Sequence, residues 1–225
     1  LNKSLNTGVT FVMQQMGQKE FARYFREVYA LIEKTGIDLP NEVNNLVKNL
    51  QSKEEVNYAT ASFGQGIALT PIATIRALAV LANGGYLVTP YVADEILYKD
   101  GTREKLVHKE PVQTLKKESS ETITRMLVHV VDTELAQGKL SMKEYALAAK
   151  TGTAEIPKSG GGYREDAYLH SFFGYYPAYE PRFIVLLYQV YPKGGASAQY
   201  ASQTLTAPFF DIAHTLLSYF SVPPD

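Results

Sequence analysis

Residues 148–157 read AAKTGTAEIP. The apolar alternation over 145–149 that leads into them predicts a β-strand about to leave a buried sheet. Gly152 has no side chain, so another molecule's backbone can approach the strand there. Lys150, Thr151 and Thr153 are expected to surround that approach with one cation and two hydroxyls. Such a set suits a ligand carrying a peptide carbonyl and a carboxylate. A strand end with ordinary surface polar residues reads the same way, so the stretch gains chemical meaning only from the rest of the chain.

With 225 residues, 45% of them hydrophobic, the chain can form one large domain or two small ones around a real core. Its 22 basic and 23 acidic residues leave a formal charge of −1, with no basic excess to favour nucleic acid or an anionic membrane surface. The lack of cysteine excludes disulfides, thiolate catalysis and cysteine-based zinc sites, and it fits an extracytoplasmic compartment without requiring one. Apolar runs fall short of the roughly 20 residues that cross a bilayer, and the first residues form no basic-then-apolar leader. If the parent protein is exported, its signal is expected ahead of Leu1.

Outward from the strand, three extended pieces are expected: around 145–156, YLHSFFGYY (168–176) and RFIVLLYQVY (182–191), the last two joined by the hairpin-length PAYEP. A helix over 207–220, apolar at Phe209, Ile212, Ala213, Leu216, Leu217 and Phe220, should lie on the face of that antiparallel sheet. Ser119 or Ser120 should cap a preceding helix, apolar at Ile123, Met126, Leu127, Val130, Val131 and Leu135, that stops at Gly138. Earlier in the chain, 9–29 reads as two short amphipathic helices broken at Gly17, and EKTGIDLPNE (33–42) as a turn leading into another. Asp38 and Glu42 flank that turn and are assigned capping roles. TPIATIRALAVLAN (70–83) has Thr at the N-cap, Pro at N1 and glycines beyond its end, and its apolar circumference predicts a central helix. YLVTPYVADEILY and EKLVH, divided by KDGT, form a peripheral hairpin. The fold class is therefore α+β: a helical part (1–85), a small hairpin (86–115), then helix, sheet and C-terminal helix (116–225).

Ser4 and Asn6, in LNKSLNTG at the start of the chain, can present a proton-relaying hydroxyl and a carbonyl-holding carboxamide on one side of a loop. Taken alone, the same pair just ahead of a helix reads as its N-cap. Ser-x-Asn and Lys-Thr-Gly are, however, two of three motifs that penicillin-binding proteins and class A β-lactamases combine. KSLNTG, GIDLPNE, ATASFGQGIALTP, LANGG, KTGTAEIP, SFFGYYPA and the ending YFSVPPD, in this order, resemble the transpeptidase domain of class B penicillin-binding proteins, nearest the division-type subgroup.

The resemblance implies a serine-type D,D-transpeptidase with a penicillin-binding, β-lactamase-like fold and no cofactor. Ser4 would join a proton relay, Asn6 would hold the substrate amide, and Lys150 would supply charge and orient Ser4. Thr151 and Thr153 would bind the carboxylate of a D-Ala-D-Ala stem or of a β-lactam. The Thr153 N–H would be half of an oxyanion hole, and Gly152 would let the substrate lie as an added strand. Peptidoglycan stem peptides and β-lactam antibiotics are the implied ligands, with cell-division proteins as candidate partners on the extracytoplasmic face of the bacterial membrane.

One motif is missing: no Ser-x-x-Lys occurs in the 225 residues. The nucleophile helix, the first strands and a membrane anchor are therefore expected upstream of residue 1, and this chain alone is expected to be inactive. A β-lactamase or β-lactam sensor, or a non-catalytic interaction module on a degenerate transpeptidase fold, remain alternatives. SFGQG (62–66) is assigned to the scaffold. SGGGY (159–163) is read as a mobile loop beside the site, lacking the context of a phosphate loop, and His129 and His170 as lone histidines, packed or on the surface rather than ligands.

Overall fold

The computed structural model describes residues 1–135 and 142–224. It divides into two compact units, residues 1–9 with 121–225 and residues 10–120.

The larger sheet belongs to the first unit. Strands β5 (Ala148–Pro157), β6 (Tyr163–Tyr176) and β7 (Phe183–Val190) are antiparallel in the order β5-β6-β7, so β5 is an edge. β6 starts earlier than the expected 168 because the glycine run closes a hairpin. Lys158 N–H donates to Gly162 O (3.1 Å), and Gly160 to Gly162 all have positive φ. SGGGY is thus the β5–β6 turn. Helix α7 (Thr206–Tyr219) buries Phe209, Phe210, Ala213 and Leu217. Phe209 stacks on Phe172 (4.4 Å) and meets Tyr176 edge-on (5.8 Å). Gly174 makes that approach possible, since a Cβ there would lie 2.5 Å from the Phe209 ring. Truncating Phe209 to alanine is expected to cost about 3–5 kcal/mol. On the other face, Thr124 of α5 (Lys117–Thr133) shares a 2.7 Å hydrogen bond with the Tyr175 hydroxyl.

α5 begins at Lys117, ahead of both serines expected to cap it. Ser120 Oγ instead donates to Leu81 O (2.6 Å), tying the helix start to the end of another helix. The expected stop at Gly138 lies outside the described residues.

The second unit is mostly helical. Helix α1 (Asn6–Met16) gives way at Gly17, with φ of 81°, to α2 (Gln18–Arg23), which runs into a π-helical turn at Tyr24–Val28. A 3₁₀ turn (Lys48–Gln51) and α3 (Glu55–Ser62) follow, and Met13, Leu50, Tyr58 and Ala61 form one buried cluster. α4 (Pro71–Ala82) has the N-cap its sequence predicts, Thr70 Oγ1 accepting from Ala73 N–H at 3.2 Å. Its buried face includes Ala73, Ala77, Val80 and, unexpectedly, Arg76. Two short antiparallel pairs complete the unit: β1 (Tyr86–Leu87) with β4 (Val112–Gln113), and the exposed hairpin of β2 (Glu95–Leu97) and β3 (Arg103–Lys105).

Asp38 and Glu42 cap no helix. Asp38 accepts from Val92 and Ala93 N–H (2.8 Å each), and Glu42 from Thr35 and Gly36 N–H (2.6 and 3.1 Å). Both carboxyls sit below the usual carboxylate range, Asp38 chiefly through its bonds from Ala93 and Val92, Glu42 through Thr35 and Gly36 acting against burial. No helix among the described residues is long and apolar enough to cross a membrane.

Candidate active site

Ser4 and Lys150 are 146 positions apart, and Lys150 Nζ donates to Ser4 Oγ at 2.9 Å. Two local features set this meeting. The segment before α1 is tied to the end of α5 by Asn2 Nδ2 to Thr133 Oγ1 (3.3 Å) and by the Lys3–Glu134 ion pair (3.1 Å). Ser4 itself has φ of 50°, a left-handed conformation that is costly for a residue with a Cβ. The first turn of α1 is served by Leu5 O, which accepts from Gly8 and Val9 N–H (3.1 and 3.2 Å). Among the described residues the Ser4 hydroxyl caps nothing; its partner is the lysine.

Lys150 is half-buried, and burial pulls its pKa below the ordinary lysine range. Its other hydrogen bond runs to Thr151 O (2.9 Å), and no carboxylate pairs with it among the described residues. An ammonium donating to a hydroxyl oxygen leaves that hydroxyl's own hydrogen free for a third atom. The pair can therefore pass a proton along while the cation stays in place.

Alternation along β5 corrects the picture of one cation and two hydroxyls ringing a single approach. Lys150 and Gly152 share one face with Ala148, whose cross-strand partner Tyr175 bonds to α5. Thr151 and Thr153 share the other with Ala149, which belongs to the buried cluster around Phe172 and Phe209. What the three groups have in common is β5, an edge strand of the sheet among the described residues. Gly152 also has a reason internal to the sheet: a Cβ there would come within 2.6 Å of Ser171 Oγ on β6. The Thr153 hydroxyl accepts from Ala201 N–H (3.0 Å). Asn6 is the first residue of α1 and is exposed; among the described residues neither its side chain nor the Thr151 hydroxyl makes a hydrogen bond.

Of the histidines, His129 is exposed on α5 while His170 is fully buried, its Nδ1 2.7 Å from Thr204 Oγ1. Sequence reasoning missed Ser171, Ala201 and Thr204. Cross-strand register could have placed Ser171 beside Gly152, but Ala201 acts through its backbone, for which no residue type is a signal.

A profile of the penicillin binding protein transpeptidase domain matches residues 1–213. Stage V sporulation protein D of Bacillus subtilis is 32% identical over 197 residues, covering 86% of this chain and 30% of that protein. Peptidoglycan D,D-transpeptidase FtsI of Escherichia coli K12 is 26% identical over 230 residues, covering 100% of this chain and 36% of that one. The chain thus spans about a third of the length of these curated relatives. The crystal structure of apo penicillin-binding protein 3 from Mycobacterium tuberculosis superposes with a TM-score of 0.88 at 26% identity, covering all of this chain and 51% of that one; its ampicillin complex gives 0.85 at 25%. A profile match across nearly the whole chain, with the fold to go with it, makes this chain a member of the penicillin-binding protein transpeptidase family.

Proposed function

We propose that the protein carrying this chain is a peptidoglycan D,D-transpeptidase acting on the extracytoplasmic face of the membrane, and that these residues form the half of its active site that binds substrate and relays protons. The observation that carries the reading is the 2.9 Å bond between Lys150 and Ser4, a strained serine held by a cation that has no carboxylate partner among the described residues. A module that only bound division partners would have no use for a partly buried cation in that condition.

In the reaction a serine of a Ser-x-x-Lys motif, supplied upstream, attacks the penultimate D-Ala carbonyl of a stem peptide. The serine ester forms, the peptide bond to the terminal D-Ala breaks, and the leaving amine takes up a proton. The proton is the one the attacking serine gives up to the lysine of its own motif, and Ser4 relays it to the leaving amine, its oxygen oriented by Lys150. An amine of a second stem then attacks the ester, gives up its proton by the same route, and frees the serine. Asn6 holds the substrate amide, the Thr153 N–H supplies one oxyanion donor, and Thr151 and Thr153 hold the terminal carboxylate. The substrate lies against the free edge of β5 as an added strand, as would a β-lactam. Cell-division proteins are the partners this reading implies.

Intact-mass spectrometry with a β-lactam tests it. The full-length protein should gain one covalent adduct on the upstream serine, and the 225-residue chain none. An adduct on this chain would show that the nucleophile has been misplaced.

A further inference from the structure

Thr153 faces His170 across the β5–β6 pair, and His170 has no exposed surface. Its Nδ1 lies 2.7 Å from Thr204 Oγ1 in α6 (Ala201–Thr204), a single helical turn. At the other end of that turn, Ala201 N–H donates to Thr153 Oγ1 at 3.0 Å. A hydroxyl has one hydrogen to give. Once its oxygen accepts a backbone N–H, that hydrogen is left for an acceptor, and a carboxylate can only accept.

One turn of helix does not hold its shape unaided. This one is braced within itself by Gln203 Oε1, which accepts from Tyr200 N–H (2.9 Å), and by Leu205 N–H to Ala201 O (2.9 Å). Against the sheet it is held by His170 and Thr153. We infer that His170 is a positioning residue for carboxylate capture: clamped to Thr204, it seats α6 so that Ala201 N–H turns the Thr153 hydroxyl toward the ligand as a donor. The inference rests on the reading of Thr153 as a carboxylate contact and adds residues outside the Lys-Thr-Gly and Ser-x-Asn motifs. Burial pulls His170 below the usual histidine range against a weaker opposing effect of the Gln199 backbone, and in either tautomer Nδ1 can pair with the Thr204 hydroxyl, which both donates and accepts.

The test uses the full-length protein and saturation kinetics of acylation by a penicillin and by its methyl ester, separating Kd from the acylation rate constant. Thr153→Val should weaken Kd for the acid by about tenfold or more while leaving the ester unaffected. Thr204→Val should weaken it in the same sense by about fivefold, with the acylation rate constant unchanged, and Thr204→Ser should restore it. His170→Phe should behave as Thr204→Val, and His170→Asn, which keeps a polar atom near the place of Nδ1, should behave as wild type. If the His170 variants fold poorly, the Thr204 pair decides. A Thr204→Val protein that binds the acid as tightly as wild type, while Thr153→Val is impaired, overturns the positioning role and leaves the Thr153 reading standing. An unimpaired Thr153→Val overturns that reading, and the positioning role with it.

Discussion

Arg76 in one unit and Lys150 in the other are both cations withdrawn from water, and their surroundings differ. Arg76 is 6% exposed, and its guanidinium donates to Ala30 O (2.6 Å), Thr35 O (3.4 Å) and Lys34 O (3.5 Å). Burial lowers its pKa, but Glu42 and Glu33 favour the charged form, and Glu42 is itself fixed by Thr35 and Gly36. Lys150 has a hydroxyl and one carbonyl, and burial alone acts on its pKa. The first cation organises a loop through both terminal guanidinium nitrogens, its Nε left unbonded among the described residues, and has two carboxylates that favour its charge. The second is held beside a strained serine at a sheet edge with its charge uncompensated, which is how a site is built when the anion arrives with the substrate.

If that contrast is right, removing Lys150 should cost chemistry and removing Arg76 should cost stability. Lys150→Ala in the full-length protein is expected to slow acylation by about 10²–10³-fold, because a positioned, half-buried charge acts on the developing anion. Its denaturation midpoint should stay the same or rise, since an uncompensated buried cation is gone. Arg76→Met should do the reverse: about 2–3 kcal/mol of stability lost, from carbonyls left without donors, and normal acylation per folded molecule. Denaturant titration and stopped-flow acylation on both variants check the pair. A Lys150→Ala protein destabilised as much as Arg76→Met would break the comparison.

What the sequence made legible follows from the range of the forces involved. α4 could be read in place because Thr70, Pro71 and the glycines after Asn83 act on their own neighbours. The sheet could be read because the second half of β6 and all of β7 are rich in aromatic and apolar residues and are joined by a short connection. The Ser4–Lys150 contact has no local signal, and only resemblance to a family joined residues so far apart. Alternation separates Lys150 from the two threonines, but as neighbours in one short motif they look like a single cluster until the strand's two faces are considered. Arg76 was hidden for a simpler reason: in an apolar helix its burial depends on carbonyls of a loop that no pattern in α4 encodes.

Ser4 sharpens the comparison, since its strain has a cost that can be separated from its chemistry. Ser4→Ala removes the hydroxyl and keeps a side chain at φ of 50°, whereas Ser4→Gly removes the hydroxyl and the strain together. Both should lose acylation to a similar extent. The glycine variant should be the more stable by about 1 kcal/mol, read from denaturation midpoints. Equal stability would mean that the left-handed serine stores nothing.

The smallest expected effect lies in pH, where burial is the largest cause and no charged partner acts, which leaves a sign that can be worked out. His170 titrates lower folded than unfolded, where a histidine sits near about 6.5. Between the two values the unfolded chain binds more protons. Stability is therefore fully present above about pH 6.5 and declines as pH falls toward the folded value, by at most about 1.4 kcal/mol per pH unit. His170→Asn should remove that component of the acid slope. Lys150 follows the same rule at the alkaline end: its folded pKa also lies below the unfolded value, so stability rises with pH as the folded lysine discharges, while acylation falls over the same interval. Arg76 stays charged across that range and contributes neither change. Stability and acylation measured together on alkaline titration should therefore move in opposite directions in wild type and lose that opposition in Lys150→Ala; parallel loss of both would place Lys150 with Arg76, as part of the scaffold.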